Sequence, residues 1–333
     1  MSFKILAIGT SVLWGQGLHE EQKIHYLVKQ ELHSRSAQPI SVHLLAHSGA
    51  IIGYKADDSE DTKQLPRVHG EVPTHYPTLL QQLAEFDTLQ HEIGTADDVD
   101  VVLVEGGIND VNIMKVLDPL TPMGSLKRMI EMFCHHHMKL FLKRVAAKFP
   151  NATIVVTAYY PMLNERSEDE YLSELLYAIG VKPGGIIADI PIDAIANLAK
   201  RKILANCEVF YRESQLALQA AVDEVNAEID NGRNPRLFLA VPYFSPENTI
   251  FAADPFLFSI NPDLSPQDDL AGERRIACDE AGNSRTVVPI CKRASNGHPN
   301  AKGAQAYADA ILDVLRDSLP DGAKSELYSS AST

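Results

Sequence analysis

A serine, a glycine, an asparagine and a histidine occur in four short blocks spread along the chain. The blocks are Gly9-Thr10-Ser11-Val12, Ser48-Gly49-Ala50, Gly107-Ile108-Asn109-Asp110 and His298-Pro299-Asn300. A serine hydroxyl can act as a nucleophile, an imidazole can accept its proton, and amide N–H groups can stabilise an oxyanion. Acyl transfer needs these residue types, provided that the fold gathers them in one place.

The segment that follows the first strand does not match three other motifs. A dinucleotide-binding fingerprint is broken by Ser11 and Trp14, and a phosphate-binding P-loop would need glycine at position 14 and lysine at 15. The α/β-hydrolase elbow needs glycine at position 13, where Leu13 stands. What remains is a serine on a tight turn. One alternative is that Ser11 only caps the following helix.

Apolar runs typical of strands alternate with helical patterns along the chain. The predicted strands are Phe3 to Ile8, Ser41 to Ala46, Val99 to Val104, Ala152 to Ala158 and Arg236 to Val241. The predicted helices are Glu20 to Leu32, Leu79 to Phe86, Ser125 to Phe149 with Ser125 as its cap, and a last helix that begins at Pro299. This alternation predicts a three-layer α/β/α fold around a five-stranded parallel sheet.

Ligand sites in parallel sheets lie outside the carboxyl ends of the strands. Ser11, Gly49 and Asn109 each follow one of the first three predicted strands, so they should share that edge. Residues 1–320 are expected to form one domain. Two segments interrupt the repeat, at 164–205 and 245–294, and their length favours lids or binding loops that set substrate choice. Residues 321–333 are expected to form a loose tail.

These four blocks resemble those of the SGNH hydrolases, the GDSL family of lipases and esterases. The resemblance covers the chain from about residue 3 to 315. That family is named for a Ser, a Gly, an Asn and a His that occur in this order. Its first block usually reads Gly-Asp-Ser-Leu, where this chain has Gly9-Thr10-Ser11-Val12. The resemblance implies a flavodoxin-like fold and an esterase activity that needs no metal or organic cofactor.

The resemblance also implies a role for each block. Ser11 would attack the ester carbonyl, and His298 would accept the proton and return it to the leaving alcohol. The oxyanion would be bound by the backbone N–H groups of Ser11 and Gly49 and by the side-chain amide of Asn109. Glycine at position 49 would let the backbone approach the substrate closely.

Two positions depart from the family pattern. An Asp usually stands three residues before the histidine, and this chain has Ser295 there; Thr10 replaces the Asp beside the nucleophile. Either the backbone carbonyl of Ser295 orients the ring in a Ser-His dyad, or a carboxylate from the preceding loop replaces the missing one. The candidate carboxylates are Asp254, Asp279 and Glu280. We favour the dyad.

Composition limits the possible partners. The 333 residues include 30 Lys and Arg against 44 Asp and Glu, a net charge of −14 that would repel nucleic acid and anionic membranes. No apolar stretch reaches the roughly 20 residues that a spanning helix needs. The N-terminus lacks a signal-peptide pattern, which predicts a cytoplasmic protein. The expected partner is a small-molecule or lipid ester substrate, and the oligomeric state is left open.

The cysteines and clustered histidines do not predict a metal site. Cys134, Cys207, Cys278 and Cys291 are scattered and form no CxxC pair, so free thiols are the default, with a Cys278–Cys291 bridge as the alternative. His135, His136 and His137 would point about 100° apart on an α-helix. No acidic residue is expected at a spacing that completes a metal site there.

Several aromatic residues have two interpretations each. Trp14 either packs in the core or forms a wall of the acyl pocket. Four aromatic residues of the late loops either form an apolar substrate surface or hold the loops in place; they are Tyr243, Phe251, Phe256 and Phe258.

The sequence therefore predicts a serine-dependent hydrolase of carboxylic esters, and it leaves three alternatives open. The first is an inactive binding or scaffold protein on the same fold, motivated by Ser295. The second is a deacetylase of acetylated sugars. The third is a nucleotide-dependent oxidoreductase, which suits the fold but lacks the glycine fingerprint.

Overall fold

The protein, examined as a computed structural model, contains a parallel five-stranded sheet. The structure describes residues 2–36, 38–53, 71–72, 75, 77–168, 192–230, 234–259, 268–281 and 292–319. The strands are β1 (Phe3–Ile8), β2 (Ile40–Leu44), β3 (Val101–Val104), β4 (Thr153–Thr157) and β5 (Leu237–Ala240), in the spatial order β2-β1-β3-β4-β5. This order is the flavodoxin-like one, so the predicted fold class is confirmed.

The strands were predictable because the central ones are buried on both faces. All four residues of β3 and all five of β4 are buried, as a sheet covered on both sides requires. The edge strand β2 is only half-buried beyond Ile40. In the ladder, Ala7 pairs with Leu44 and Ile8 with Val104, so the first three strands end at the same edge.

Helices cover both faces of the sheet. The helices are α1 (Ser11–Trp14), α2 (Ile24–Arg35), α3 (Leu79–Ile93), α4 (Ile108–Val111), α5 (Ile113–Leu117), α6 (Met123–Ile130), α7 (Met138–Lys148), α8 (Ile192–Asp230), α9 (Ala271–Ala281) and α10 (Ala301–Ser318). Short 3₁₀ turns occur at Glu20–Gln22, Ala96–Asp98 and Pro246–Asn248. Helices α2 and α10 pack together, while α7 packs against α3 and α8.

Three predicted helix starts were wrong. The helix predicted from Glu20 begins at Ile24, after the short turn Glu20–Gln22. The helix predicted from Ser125 begins at Met123, and the Ser125 hydroxyl accepts a hydrogen bond from Arg128 instead of capping the first turn. The last helix begins after Pro299, because Asn300 caps it by accepting hydrogen bonds from the N–H groups of Lys302 and Gly303. Side-chain capping sets the start of the last helix, whereas Pro122, at the capping position of α6, makes no side-chain hydrogen bond.

The long helical segment that joins α6 to α7 contains a change in winding. Residues Glu131–His137 form a π-helical stretch between α6 and α7. The stretch contacts α4 and α8. A π-helix widens the turn and changes the angle between successive side chains, so α-helical geometry does not apply to the three histidines inside it.

Both predicted insertions contain helix. Within 164–205, residues 192–205 form the first part of the 39-residue helix α8, so their assignment to a loop was wrong. Within 245–294 lies α9. The C-terminal residues 321–333 lie outside the described part of the chain. None of the described helices is both long and apolar enough to cross a membrane.

The cysteines are of two kinds. Cys134 and Cys207 are buried free thiols, and burial raises the pKa of both. Cys278 is disulfide-bonded, so the expectation of a free thiol was wrong there. Cys291 lies outside the described residues.

Candidate active site

Ser11 lies at the carboxyl end of β1 as the first residue of the one-turn helix α1. Its backbone carbonyl accepts hydrogen bonds from the N–H groups of Gly15 (3.0 Å) and Gln16 (3.0 Å), which close the turn. Thr10 stands at the capping position, so the structure does not support the alternative that Ser11 is a helix cap. In this strand order the crevice opens between β1 and β3, next to Ser11.

The Ser11 hydroxyl meets the ring of His298. Ser11 Oγ lies 2.7 Å from His298 Nε2, although the two residues are 287 positions apart in the chain. The histidine loop is held by backbone hydrogen bonds: His298 N–H donates to the Ser295 carbonyl (2.8 Å), and the His298 carbonyl accepts from Phe258 N–H (2.8 Å). These bonds hold the backbone of the loop, and the Ser295 carbonyl, which the sequence suggested as the group that orients the ring, accepts from the backbone N–H of His298.

The surroundings of His298 favour a neutral ring. Burial lowers the pKa of His298 from 6.5 to about 4; the backbones of Ser295 and Asn296 act in the opposite direction, and the nearby Arg274 charge lowers it further. The Nδ1 atom is shielded from solvent and has no hydrogen-bond partner among the described residues. A neutral imidazole with its proton on Nδ1 presents an unprotonated Nε2 to Ser11.

Ser295 contacts a buried ion pair that the sequence does not predict. Ser295 Oγ accepts a hydrogen bond from Arg274 (3.1 Å), and the same guanidinium nitrogen pairs with Asp268. Arg274 is only 1% exposed. The negative charge of Asp268 raises the pKa of His298, and the positive charge of Arg274 lowers it. No sequence motif indicates Asp268, because it reaches the site only through Arg274, which contacts Ser295.

The carboxylates proposed from the sequence as substitutes lie elsewhere. Asp254 pairs with Lys302 (2.5 Å) and Asp279 with Lys292 (2.7 Å), in contacts that involve exposed side chains. The side chain of Glu280 lies outside the described part of the structure. Neither described candidate contacts the ring of His298.

The second and third blocks are joined by hydrogen bonds. Asn109 Nδ2 donates to the Ala50 carbonyl (2.8 Å), which fixes the side-chain amide against the residue after Gly49. Asp110 accepts from Ile52 N–H (3.2 Å). Gly49 has φ +74°, a left-handed conformation that side chains disfavour, so glycine is required there for the turn itself.

The first block is joined to the second. Ser48 Oγ donates to Gln16 Oε1 (2.8 Å), close behind α1. The Ser48 N–H donates to Glu71 (2.8 Å), whose carboxylate also lies 3.1 Å from Nδ1 of the buried His47. The bond between Ser48 and Gln16 ties the turn that carries Gly49 to the turn that carries Ser11.

Two acidic side chains next to the blocks were also missed. Glu105 Oε2 accepts hydrogen bonds from Thr10 N–H (3.0 Å) and from Thr10 Oγ1 (2.5 Å), so Glu105 provides a carboxyl group beside the position where the family has Asp. Burial raises the pKa of Glu105. Burial also raises the pKa of Asp110 to about 7. Asp110 is the last residue of the third block and Glu105 stands two residues before that block, but a single sequence does not indicate their burial.

The aromatic residues mostly hold the loops. Phe251 and Phe258 are buried in the main core, whereas Tyr243 is 55% exposed and donates to Asp313 (2.6 Å). Trp14 packs against the core and carries Lys23 Nζ 4.1 Å from its ring centroid. A cavity of about 490 Å³ is lined by Phe251, Phe258 and Asn300, among other residues. Neither Ser11 nor His298 lines this cavity.

The histidine cluster contains an acidic residue, contrary to the sequence expectation. Glu131 lies one turn before His135, and ligand atoms of Glu131, His135 and His136 all lie within 4.8 Å of one another. Glu131 and His135 are four residues apart, a spacing that places them on one face even of an ordinary α-helix, so this pair could have been found from the sequence.

Comparison with known proteins finds distant likenesses in fold. No family model matches the chain, and no curated protein matches its sequence. Among solved structures, the chain is similar to an extracellular lipase from Streptomyces rimosus (13% identity, 95% of this chain and 100% of that one, TM-score 0.43). It is also similar to a phospholipase A1 from Streptomyces albidoflavus (14% identity, 96% of this chain and 100% of that one, TM-score 0.45). A third similar structure is an acetyl xylan esterase from Butyrivibrio proteoclasticus (14% identity, 95% of this chain and 64% of that one, TM-score 0.43). Likenesses this distant do not establish an activity, so the side-chain geometry has to support that inference.

Proposed function

We propose that the protein is a serine-dependent hydrolase of carboxylic esters that works through an acyl-serine intermediate. The observation that carries the proposal is the 2.7 Å contact between Ser11 Oγ and His298 Nε2 at the carboxyl edge of the sheet. Such a contact between a hydroxyl and a neutral imidazole is what an activated nucleophile requires.

The reaction has two halves. Ser11 Oγ attacks the ester carbonyl while His298 Nε2 takes the hydroxyl proton, and the C–O bond to the alcohol breaks as the alcohol receives that proton. Water then attacks the acyl-serine, with His298 again as the base, and releases the acid. The oxyanion in both halves is bound by the N–H groups of Ser11 and Gly49 and by Asn109 Nδ2.

In this mechanism the histidine works without a carboxylate on Nδ1. Two observations support this. Asp254 and Asp279 pair with lysines and do not contact the ring, and the charge of Asp268 is neutralised by Arg274. The backbones of Ser295 and Asn296 raise the pKa of His298 and therefore stabilise the transient imidazolium. The proposal is a Ser-His dyad.

The substrate class is an ester, and the acid and alcohol parts are not assigned. A lipid ester, a short acyl ester and an acetylated sugar all fit this chemistry. Initial rates on a series of acyl chain lengths, measured alongside sugar acetates, separate a lipase or carboxylesterase from a sugar deacetylase.

The alternative from another class is a binding or scaffold protein that has lost catalysis. The observation in its favour is the Nδ1 atom of His298, which has no hydrogen-bond partner among the described residues. A dyad with a poorly supported base would then be inactive.

A fluorophosphonate probe separates the two functions. The proposal predicts one label per folded chain, lost in Ser11→Ala and retained in Ser34→Ala, a change at an exposed serine. Folding of each variant is checked by circular dichroism. If the folded wild type takes no label, the scaffold alternative is favoured.

A further inference from the structure

A second polar cluster lies in the π-helical stretch between α6 and α7. Glu131 Oε1 is 2.8 Å from Nδ1 of His135 and 3.6 Å from Nε2 of His136. The two imidazole rings lie side by side, with centroids 4.6 Å apart and planes 35° apart. Two imidazoles and a carboxylate thus face one another on the surface of one helix.

The altered winding makes this arrangement possible. In an α-helix adjacent side chains diverge by about 100°, which would separate His135 from His136. The wider π turn is a local irregularity that often occurs at functional sites. Here it brings the ligand atoms of three residues to within 4.8 Å of one another.

We propose that Glu131, His135 and His136 form a binding site for one Zn²⁺ ion. Two imidazole nitrogens and one carboxylate oxygen are a common set of three zinc ligands, and a fourth tetrahedral position is left for water. Zinc bonds of about 2.0–2.1 Å place tetrahedral ligand atoms about 3.3 Å apart, so only small side-chain shifts are needed. Glu131 and His136 are exposed and can make these shifts.

A neighbouring helix orients the buried member of the set. His135 Nε2 lies 3.0 Å from Oε1 of Glu224 on α8, and Glu224 Oε2 is held by Lys139 (2.6 Å). Metal-bound histidines commonly donate their second N–H to a carboxylate in this way. Glu224 therefore fixes His135 with Nδ1 directed at Glu131. On binding, the ion replaces the Nδ1 proton, which passes to solvent.

The ligand set and the local charge select the ion. Imidazole nitrogens suit zinc and other late first-row metals, whereas calcium and magnesium prefer oxygen ligands alone. The carboxylates of Glu131 and Glu224 make the site electrostatically favourable for a dication. Because Glu224 belongs to α8, the bound ion would tighten the contact between the π stretch and α8.

The matched control is the third histidine. His137 is in the same stretch, but its ring packs edge-on against Phe133 (5.1 Å between centroids) and it is not in the ligand group. His136 is 61% exposed, so its replacement should not disturb folding. His136→Ala and His137→Ala change the composition equally; only the first removes a proposed ligand, and only the second removes the ring contact with Phe133.

Isothermal titration of the tag-free, chelator-treated protein with ZnCl₂ tests the site. We expect one ion per chain at this site, with Kd at least about tenfold weaker in His136→Ala and about 10–100-fold weaker in Glu224→Gln. His137→Ala should bind like the wild type. Zinc should also raise Tm in the wild type more than in His136→Ala, because it binds the folded state.

Three results would overturn the proposal. The wild type could fail to bind zinc, His136→Ala could bind like the wild type, or His137→Ala could lose affinity as much as His136→Ala does. The last two would assign binding to other histidines. These readouts do not involve ester turnover, so they are independent of the proposed activity.

Discussion

His298 can accept a proton from Ser11 only while its ring is neutral. Burial lowers the pKa of the ring to about 4, against an ordinary value of 6.5, so the base is already unprotonated in mildly acidic solution. The same shift affects stability. Between these two pKa values the unfolded chain binds more protons than the folded one, so this contribution to stability grows as pH rises through that window.

The pH profile of kcat/KM should therefore have its acid limb near pH 4 and not near pH 6.5. Asp110, with a pKa raised to about 7, could add a second step near neutrality. The variant Asp110→Asn removes that step and isolates the histidine. An acid limb near pH 6.5 that persists in Asp110→Asn would contradict a base that is neutral above pH 4.

Asn109 should act on the transition state more than on substrate binding, because the oxyanion forms only after binding. Asn109→Ala is expected to lower kcat by about 10²–10³-fold with little change in KM, as for other oxyanion donors. Steady-state kinetics on a soluble ester measure both constants. An effect confined to KM would argue against the role assigned to Asn109.

At the scale of the elements, Glu105 joins the end of β3 to the end of β1. Burial raises the pKa of its carboxyl, and the amide of glutamine keeps an oxygen that can accept from Thr10. Glu105→Gln should thus unfold in urea within about 1 kcal/mol of the wild type. Glu105→Ala leaves both Thr10 donors without an acceptor, at about 1–3 kcal/mol for each. Equal damage in both variants would show that the ionised form is needed.

The start of α10 depends on Asn300, two residues after the proposed base. Asn300→Ala should lower the free energy of unfolding by about 0.5–2 kcal/mol, because two backbone N–H groups lose their acceptor. Asn300→Asp keeps that acceptor and should recover most of the loss, although the bond from Asn300 Nδ2 to the Pro255 carbonyl is removed. Urea denaturation compares the two. If the aspartate variant were no more stable than the alanine variant, capping would not be the cause.

The elements differ in how far the sequence predicts them. Buried strands such as β3 and β4 are continuous β-branched runs, which makes them easy to recognise. The π stretch Glu131–His137 was hidden because the apolar spacing continues from α6 into α7. The first part of α8 was missed because it follows a Pro- and Gly-containing segment that suggested a loop.

At the scale of the whole molecule, the first three blocks follow neighbouring parallel strands, so their common edge of the sheet could be expected from the sequence, whereas the His298 block precedes a helix. The groups that contact these blocks could not be predicted from the sequence. Glu105, Asp268 and Arg274 are buried and make contacts between distant parts of the chain. The disulfide at Cys278 is in tension with the cytoplasmic location predicted from the N-terminus, because disulfides are uncommon in that compartment.

The central claim is that folding makes Ser11 a covalent catalyst. Acid-quenching the enzyme during turnover of a slowly deacylated ester, followed by intact-mass and peptide analysis, tests this claim most directly. The account predicts one acyl group per chain, on the peptide that contains Ser11, and neither adduct nor turnover in Ser11→Ala. Undiminished ester hydrolysis by Ser11→Ala, with no acyl group on the wild-type peptide, would contradict it.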